Sequence, residues 1–476
     1  SQAFHSDKKK GIPMGEPQLR TRRQAWIGRY LAGSSFDIRQ LAALYFPILV
    51  DQAFIVGLNL VNTAMISSSG VAAISAVNMI DSLNIFLISV FVAVSTGGTV
   101  LVAQYKGNGN DRMVSRAAAS AVSSVTLLAL CISVFIVLFH EPVMRFLFGS
   151  ASDDVFANAR IYLTGSCISY AGIAMVEAVC GALRGIGKTR ASLVLSLMMN
   201  AIYVLLNVVF IHVLRMGVLG MTFSVNASRY AVALLALVYL TGMKTSLHVR
   251  IRDLLRVNLA MLRKILFIGL PFAAEQLFFN GGKILTQIFI VSLGTYAIAT
   301  NAIGSSFAGL LQIPSNALSI AAVTVVGQCM GRGDVEDARR LTKLFLGFSS
   351  VCFTLMALLI IPLFKPLVWL FHPPGAIVGD IFTIVLITAI AQIPLWPISF
   401  LLPSALRAAG DSRFTSVVSM LSMWLFRVVS GYLLGIVLHF GIVGVWLAMN
   451  CEWGVRGAVF LWRFRGKQWY RHRLID

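Results

Sequence analysis

The chain has 476 residues, 58% of them hydrophobic and only 12% charged, with a mean hydropathy of +0.82. Soluble domains carry about a quarter charged residues, so a water-soluble globule of this size is excluded. The net charge of +20 would suit nucleic acid, but Lys and Arg fall between long uncharged apolar runs, which argues against a nucleic-acid reader.

Residues 1–37 are a basic tail without the apolar core of a signal peptide. A helix needs about 20 apolar residues to cross the hydrocarbon with its backbone fully paired. Twelve segments qualify in chain order: 41–66, 76–102, 117–139, 160–183, 191–212, 220–242, 265–291, 298–326, 344–364, 378–404, 414–438 and 443–462. The fold class expected is therefore an all-α membrane protein with twelve transmembrane helices. Lys106, Arg112, Arg116, Arg184, Lys188, Arg190, Arg250, Arg332, Arg339, Arg407, Arg413 and Arg463 collect with both tails on one side, while the opposite loops hold little more than Arg145, Arg160, Arg215 and Lys365. By the positive-inside rule both termini are expected in the cytoplasm.

At an offset of 224 the chain repeats itself. Pro47-x-x-x-Asp51-Gln52 matches Pro271-x-x-x-Glu275-Gln276, and Gln104-x-x-Gly107-x-Gly109 matches Gln328-x-x-Gly331-x-Gly333. At 223, Ala182-Leu-Arg184-x-x-Gly187 matches Ala405-Leu-Arg407-x-x-Gly410. Pro, Gln and Arg held in register over such a length mark a duplication. The expected organisation is a pseudo-symmetric pair of six-helix bundles, 38–242 and 265–463, joined by a basic cytoplasmic linker over 243–264 and closed by a basic tail over 464–476. Two like-oriented bundles enclosing a cleft suit alternating access.

The doubled Pro-x-x-x-acid-Gln, Gln-x-x-Gly-x-Gly and Ala-Leu-Arg-x-x-Gly motifs, with Gly444-Val-Trp446 and Arg463-Phe-Arg465-Gly466-Lys467, together resemble the multidrug and toxic compound extrusion (MATE) family, bacterial branch. The resemblance covers about 38–470 and implies an inner-membrane exporter, driven by a proton or sodium gradient, whose substrates are often flat and aromatic. The chain departs from the family where an aspartate is often found: it reads Val61-Asn62-Thr63 in the first helix, and Asn200 is followed by Asn207 in the fifth. Asparagine can hydrogen-bond a substrate or coordinate a cation, but it cannot titrate.

A charge at mid-membrane costs at least about 2.5 kcal/mol, so each asks for a reason. Asp51 and Glu275 follow equivalent prolines, each of which frees a carbonyl that could help hold a proton or Na⁺. Glu177 offers a third carboxylate, and these three are the candidates for cation coupling. Asp81 is a further intramembrane acid. Lys283 lies two turns after Glu275, so an indirect ion pair along that helix competes with a substrate role, while Arg427 is far from either end of its helix. Glu452 and Arg456 are spaced to neutralise each other. Candidate substrate-binding residues are Asn62, Asn207, Lys283, Arg427, Gln52 and Gln276, although the two glutamines read first as glue within their lobes. Amides in place of acids, plus two fixed cations, point to a flat anionic substrate, of which a flavin nucleotide is one example.

Gly185-Ile-Gly-Lys-Thr189 looks like the end of a phosphate loop, but its first glycine position is Ala182 and no strand precedes it. The six cysteines show no metal spacing, and no resident cofactor, metal or enzyme activity is expected. The partners expected are a small-molecule substrate and membrane lipids, with the protein a monomer. A lipid-linked precursor flippase of similar duplicated build is the alternative, and a channel the third reading.

Overall fold

The computed structural model describes residues 36–149, 152–243, 247–256 and 258–475. The first half comprises α1 (Ile38–Ser67), α2 (Val71–Gly107), α3 (Asp111–Leu138), α4 (Asp153–Gly185), α5 (Thr189–Asn207, continued by a π-helical stretch, Val208–Val213) and α6 (Val218–Gly242). The second half comprises α7 (Leu259–Ser292), α8 (Thr295–Gly331), α9 (Val335–Ile360), α10 (Val378–Trp396, running on through Pro397–Leu401 and Leu402–Ala408), α11 (Ser412–Ser422, running on to Val437) and α12 (Gly441–Arg465). Among the described residues, eleven helices are long and apolar enough to cross a membrane. The twelfth, α12, is 25 residues long and less apolar because it carries Glu452 and Arg456.

Local chemistry sets the helix ends. Asp37 and Gln40 form a capping box at the start of α1, with bonds of 2.8 and 3.1 Å. Asn110 and Asp334, one repeat apart, cap α3 and α9 by accepting from Met113 N and Asp337 N at 3.3 and 3.1 Å. Gly109 and Gly333 both turn at φ 76°, a left-handed conformation that costs glycine little. Helices α2 and α8 are 37 residues each, longer than the apolar runs 76–102 and 298–326, because hydropathy marks only the part inside hydrocarbon. The expected linker is shorter than 243–264: Asn258 caps α7, accepting from Ala260 N at 3.1 Å, so the helix starts at Leu259.

The halves meet chiefly through α2 against α7 and α8, and α8 against α1. Gln104 Nε2 donates to Ala408 O at 2.9 Å and its repeat mate Gln328 donates to Gly185 O at 3.0 Å. Gly107 and Gly331 pack so closely there that a Cβ on either would lie 1.9 Å from the carbonyl oxygen of Gln328 or Gln104. The Gln-x-x-Gly-x-Gly motif thus closes the end of the molecule where α1 begins, α12 ends and the basic loops lie. Tyr45 to Pro314 O (3.0 Å), Lys264 to Tyr105 (2.9 Å) and Asn280 to Ser89 (3.4 Å) continue the seam to mid-helix. Among the described residues no hydrogen bond joins the halves beyond that level, where each half instead presents a cavity.

Candidate functional site

Each half holds a cavity beyond the seam. The C-terminal cavity, ≈ 490 Å³, is walled by Phe279, Trp396, Phe400, Trp446 and Trp453, with Gln287, Asn301, Gln312 and Asn316 supplying amides and Lys283 and Arg427 supplying charge. Two irregular helices build it. The π-helical stretch Pro397–Leu401 places Phe400 in stacked contact with Trp396, ring centres 5.1 Å apart, and a second such stretch, Met423–Val428, carries Arg427. Wide turns of this kind re-aim side chains that a regular helix would space differently.

Lys283 Nζ lies 4.7 Å and the Arg427 guanidinium carbon 5.6 Å from the centre of the Phe279 ring, a cation–π arrangement around one aromatic ring. Among the described residues Arg427 otherwise hydrogen-bonds only the Met423 sulfur, at 3.8 Å, and its Nε is buried without a partner. Among the described residues neither cation forms an ion pair. The indirect pairing of Lys283 with Glu275 allowed by their spacing does not form, because Glu275 is held elsewhere by Arg407. Glu452 and Arg456 do pair, within α12 and fully buried; Ser422 also donates to Glu452, at 2.8 Å. The cavity therefore carries two cations without an ion-pair partner, Glu452 acting on Arg427 only from a distance.

The N-terminal cavity, ≈ 500 Å³, has the opposite chemistry at its centre. Tyr162 donates to Asp81 at 2.6 Å, Asn84 reaches the same carboxylate at 3.4 Å, and Tyr170 donates to Asn84 at 2.5 Å. Arg229, on the same wall, donates to Ser169 at 2.7 Å, Ser169 donates to Ser166 O at 2.6 Å and Asn84 donates to Ser166 Oγ at 3.1 Å, so the acid and the base of this cavity are linked through Ser166.

The three candidate coupling carboxylates lie nearer the basic end. Glu275 is buried and accepts from Arg407 at 3.1 Å and Ser416 at 3.2 Å, while Arg407 also stacks 3.6 Å from the Phe272 ring. Asp51 is buried with one oxygen unpartnered; Arg184 and Ser196 are its polar neighbours, and Arg184 acts on Glu177 as well. Arg184 thus acts on two acids in the first half, with Arg229 adding to its effect on Glu177, whereas Arg407 pairs with one acid in the second. Phe400 stands where Glu177 would recur at the 223 offset.

Of the other sequence candidates, Asn207 is fully buried and engages Tyr203, which lines the N-terminal cavity. Gln52 and Gln276 are half-buried and line neither cavity, so the structure does not bring them to the sites where Lys283 and Arg427 meet. The side chain of Asn62 lies outside the described residues.

The MatE family profile matches residues 47–211 and 271–433, most of both halves. The chain belongs to the MATE family. Among curated relatives it is 24% identical to an uncharacterized transporter, YisQ, of Bacillus subtilis, over 90% of this chain and 94% of that protein. It is 23% identical to a probable multidrug resistance protein, NorM, of Thermotoga maritima, over 92% and 94%. Its fold matches that of an outward-facing MATE transporter of the MOP superfamily at a TM-score of 0.81 with 19% identity, covering 90% and 95% of the two chains. A second match, at 0.80 and 18% identity over 90% and 94%, is a MOP superfamily transporter from Pyrococcus furiosus described by a reversed polarity of its binding pocket.

As a MATE protein the chain is a multi-pass membrane transporter and not an enzyme. Motif reading missed the partners of its charges. Arg407 and Arg184 belong to the doubled Ala-Leu-Arg motif, so their placement near the acids of the doubled Pro-x-x-x-acid motif, as an ion pair in the second half and as an electrostatic neighbour in the first, was signalled by the repeat itself. Asp81, Tyr162 and Arg229 carry no comparable signal, since they fall outside every repeated motif.

Proposed function

We propose that this MATE transporter exports flat aromatic anions across the bacterial inner membrane by alternating access, both termini cytoplasmic, in exchange for H⁺ or Na⁺. The observation that carries the substrate class is the C-terminal cavity, where Lys283 and Arg427 face an aromatic box with no acid paired to either. An unpaired cation in a low-dielectric cavity is costly until an anion enters, and the aromatic walls reward a planar ring. A flavin nucleotide is one molecule of this class. The reversed pocket polarity described for the Pyrococcus furiosus transporter is a precedent on the same fold.

For coupling, the carboxylates are Asp51 and Glu177, with Glu275 in the second half. Among the described residues Asp51 and Glu177 share Arg184 without an ion pair to it and Asp51 keeps an unpartnered oxygen, which leaves them open to the exchanged cation, whereas Glu275 is already met by Arg407. The test is uptake into liposomes holding the purified protein, with proton and sodium gradients imposed separately. The account expects a flat aromatic anion to accumulate under one gradient, and Asp51→Asn to abolish the drive while equilibrium binding stays within a few-fold, since coupling and binding are separate free energies. Preferential accumulation of a matched cation would overturn the substrate assignment. Full gradient drive in Asp51→Asn and Glu177→Gln would return the coupling role to Glu275.

A further inference from the structure

The segment joining the halves is bolted to the first half. Leu247 and Val249 are fully buried, the His248 amide donates to Ser115 Oγ at 3.0 Å, and Ser123 Oγ donates to Leu254 O at 2.5 Å. A short helix, Ile251–Leu255, follows, with Leu254 turned partly inward. Ile251, Leu255 and Leu259 are 66%, 81% and 75% exposed, interleaved with Arg250, Arg252 and Arg256. This element sits where α3 and α7 begin and α6 ends, at the edge of the apolar spans.

Between it and the first turns of α3 is a groove of ≈ 410 Å³ lined by Asp111, Arg112, Ser115, Arg116, His248, Arg250 and Asp253. Arg112 and Arg116 are four residues apart and so share one face of α3. Arg250 approaches from the linker. Three guanidinium groups meet two carboxylates here, and among the described residues no ion pair joins them. Guanidinium forks match phosphate oxygens bidentately.

We propose that this groove binds the phosphate headgroup of an anionic phospholipid in the leaflet at the basic end, with Ile251, Leu255 and Leu259 dipping into the acyl region beside it. The exposed apolar trio decides for a lipid over a free phosphate, because a soluble ion would leave those side chains in water, while a lipid meets both the charge and the apolar surface. The segment covalently ties the two halves, so a headgroup bridging Arg250 to Arg112 and Arg116 fixes the tie to the first half while the second rocks. The proposal rests on the membrane-spanning fold and is independent of the transported substrate.

Lipid retention by the purified protein, read by native mass spectrometry after addition of phosphatidylglycerol or phosphatidylcholine, tests it. Wild type should retain phosphatidylglycerol about tenfold better than phosphatidylcholine, and the triple substitution Arg112→Gln, Arg116→Gln, Arg250→Gln should remove that preference. A control triple, Arg190→Gln, Arg340→Gln, Lys343→Gln, takes the same charge from other basic-end positions and should leave it intact. Ile251→Ser with Leu255→Ser should weaken phosphatidylglycerol retention without touching an arginine, which keeps the test valid if the arginine triple folds poorly. Equal retention of the two lipids by wild type, equal loss in both triples, or displacement of the lipid by millimolar inorganic phosphate would each overturn the assignment.

Discussion

Gln104 and Gln328 sit at equivalent places and make equivalent bonds, to Ala408 O and Gly185 O, whereas the acids four residues after the paired prolines do not behave alike. Glu275 is closed off by Arg407 and Ser416; Asp51 shares Arg184 with Glu177 and leaves an oxygen unpartnered. The cavities diverge further. Ser305 takes the place of Asp81 and Trp453 that of Arg229 at the 224 offset, so the C-terminal cavity loses the networked acid and base and gains Lys283 and Arg427 instead. Duplication has kept the parts that close the basic end and let the charges drift apart. A seam of backbone contacts tolerates little change in shape, while a cavity wall tolerates any side chain that finds a partner or a ligand.

The sharpest way to test this asymmetry is to neutralise each acid. Glu275→Gln strands a buried guanidinium and should destabilise the protein by about 3–5 kcal/mol, read as a lowered midpoint of thermal unfolding in detergent. Asp51→Asn removes one of two acids around one arginine and should cost far less. Equal losses would mean that the first half holds a tight pair of its own.

A further feature of the second half is its C-terminal segment, which folds back on it. Arg463 grips Asp411 with two bonds of 2.8 and 3.0 Å, His472 adds one of 3.0 Å, and Trp469 is fully buried. Burial alone would raise the Asp411 carboxyl, but the bonds from His472 and Arg463 hold it below its ordinary range. A depressed carboxyl stabilises the fold above the unfolded value near 4 and loses that contribution as pH falls through the lower folded value. The Asp411 clamp is therefore complete at neutral pH and lost only in acid. Asp411→Asn should free the tail at neutral pH and raise the rate of trypsin cleavage at Arg471 by about 10-fold or more, a charge-assisted bond being worth about 1.5–3 kcal/mol. An unchanged cleavage rate would show that Trp469 holds the tail without the clamp.

The smallest effect expected tests what the halves share. Gly107→Ala and Gly331→Ala each push a methyl onto a facing carbonyl, and overpacking of this kind costs about 1–3 kcal/mol. Both should favour opening at the basic end to the same degree, seen as slower cross-linking between cysteines placed across the seam. A large effect in one and none in the other would break the symmetry of the closure.

The fold was readable because lipid imposes a length and an apolar composition on every span, and because the repeat counted the helices twice. The unusual character of Lys283 and Arg427 was readable too, since a charge far from a helix end stands out in an apolar run. What hydropathy and local spacing did not reveal is which distant groups meet. Tyr162 and Asp81 are 81 residues apart and Arg407 and Glu275 are 132 apart, and helical periodicity carries no information across such separations. The spacing of Lys283 after Glu275 misled for the same reason: it describes one helix, while the partner of Glu275 comes from another.

The central claim is that the C-terminal cavity selects anions, and equilibrium binding of two flat aromatic probes matched in size, one anionic and one cationic, tests it most directly. A charge pair at 4 Å is worth about 4 kcal/mol at an effective dielectric of 20 before desolvation is counted, so each of Lys283→Met and Arg427→Met should weaken the anion by at least about tenfold and leave the cation unchanged or stronger. Tighter binding of the cation by wild type, or an anion affinity untouched by both substitutions, would contradict the account.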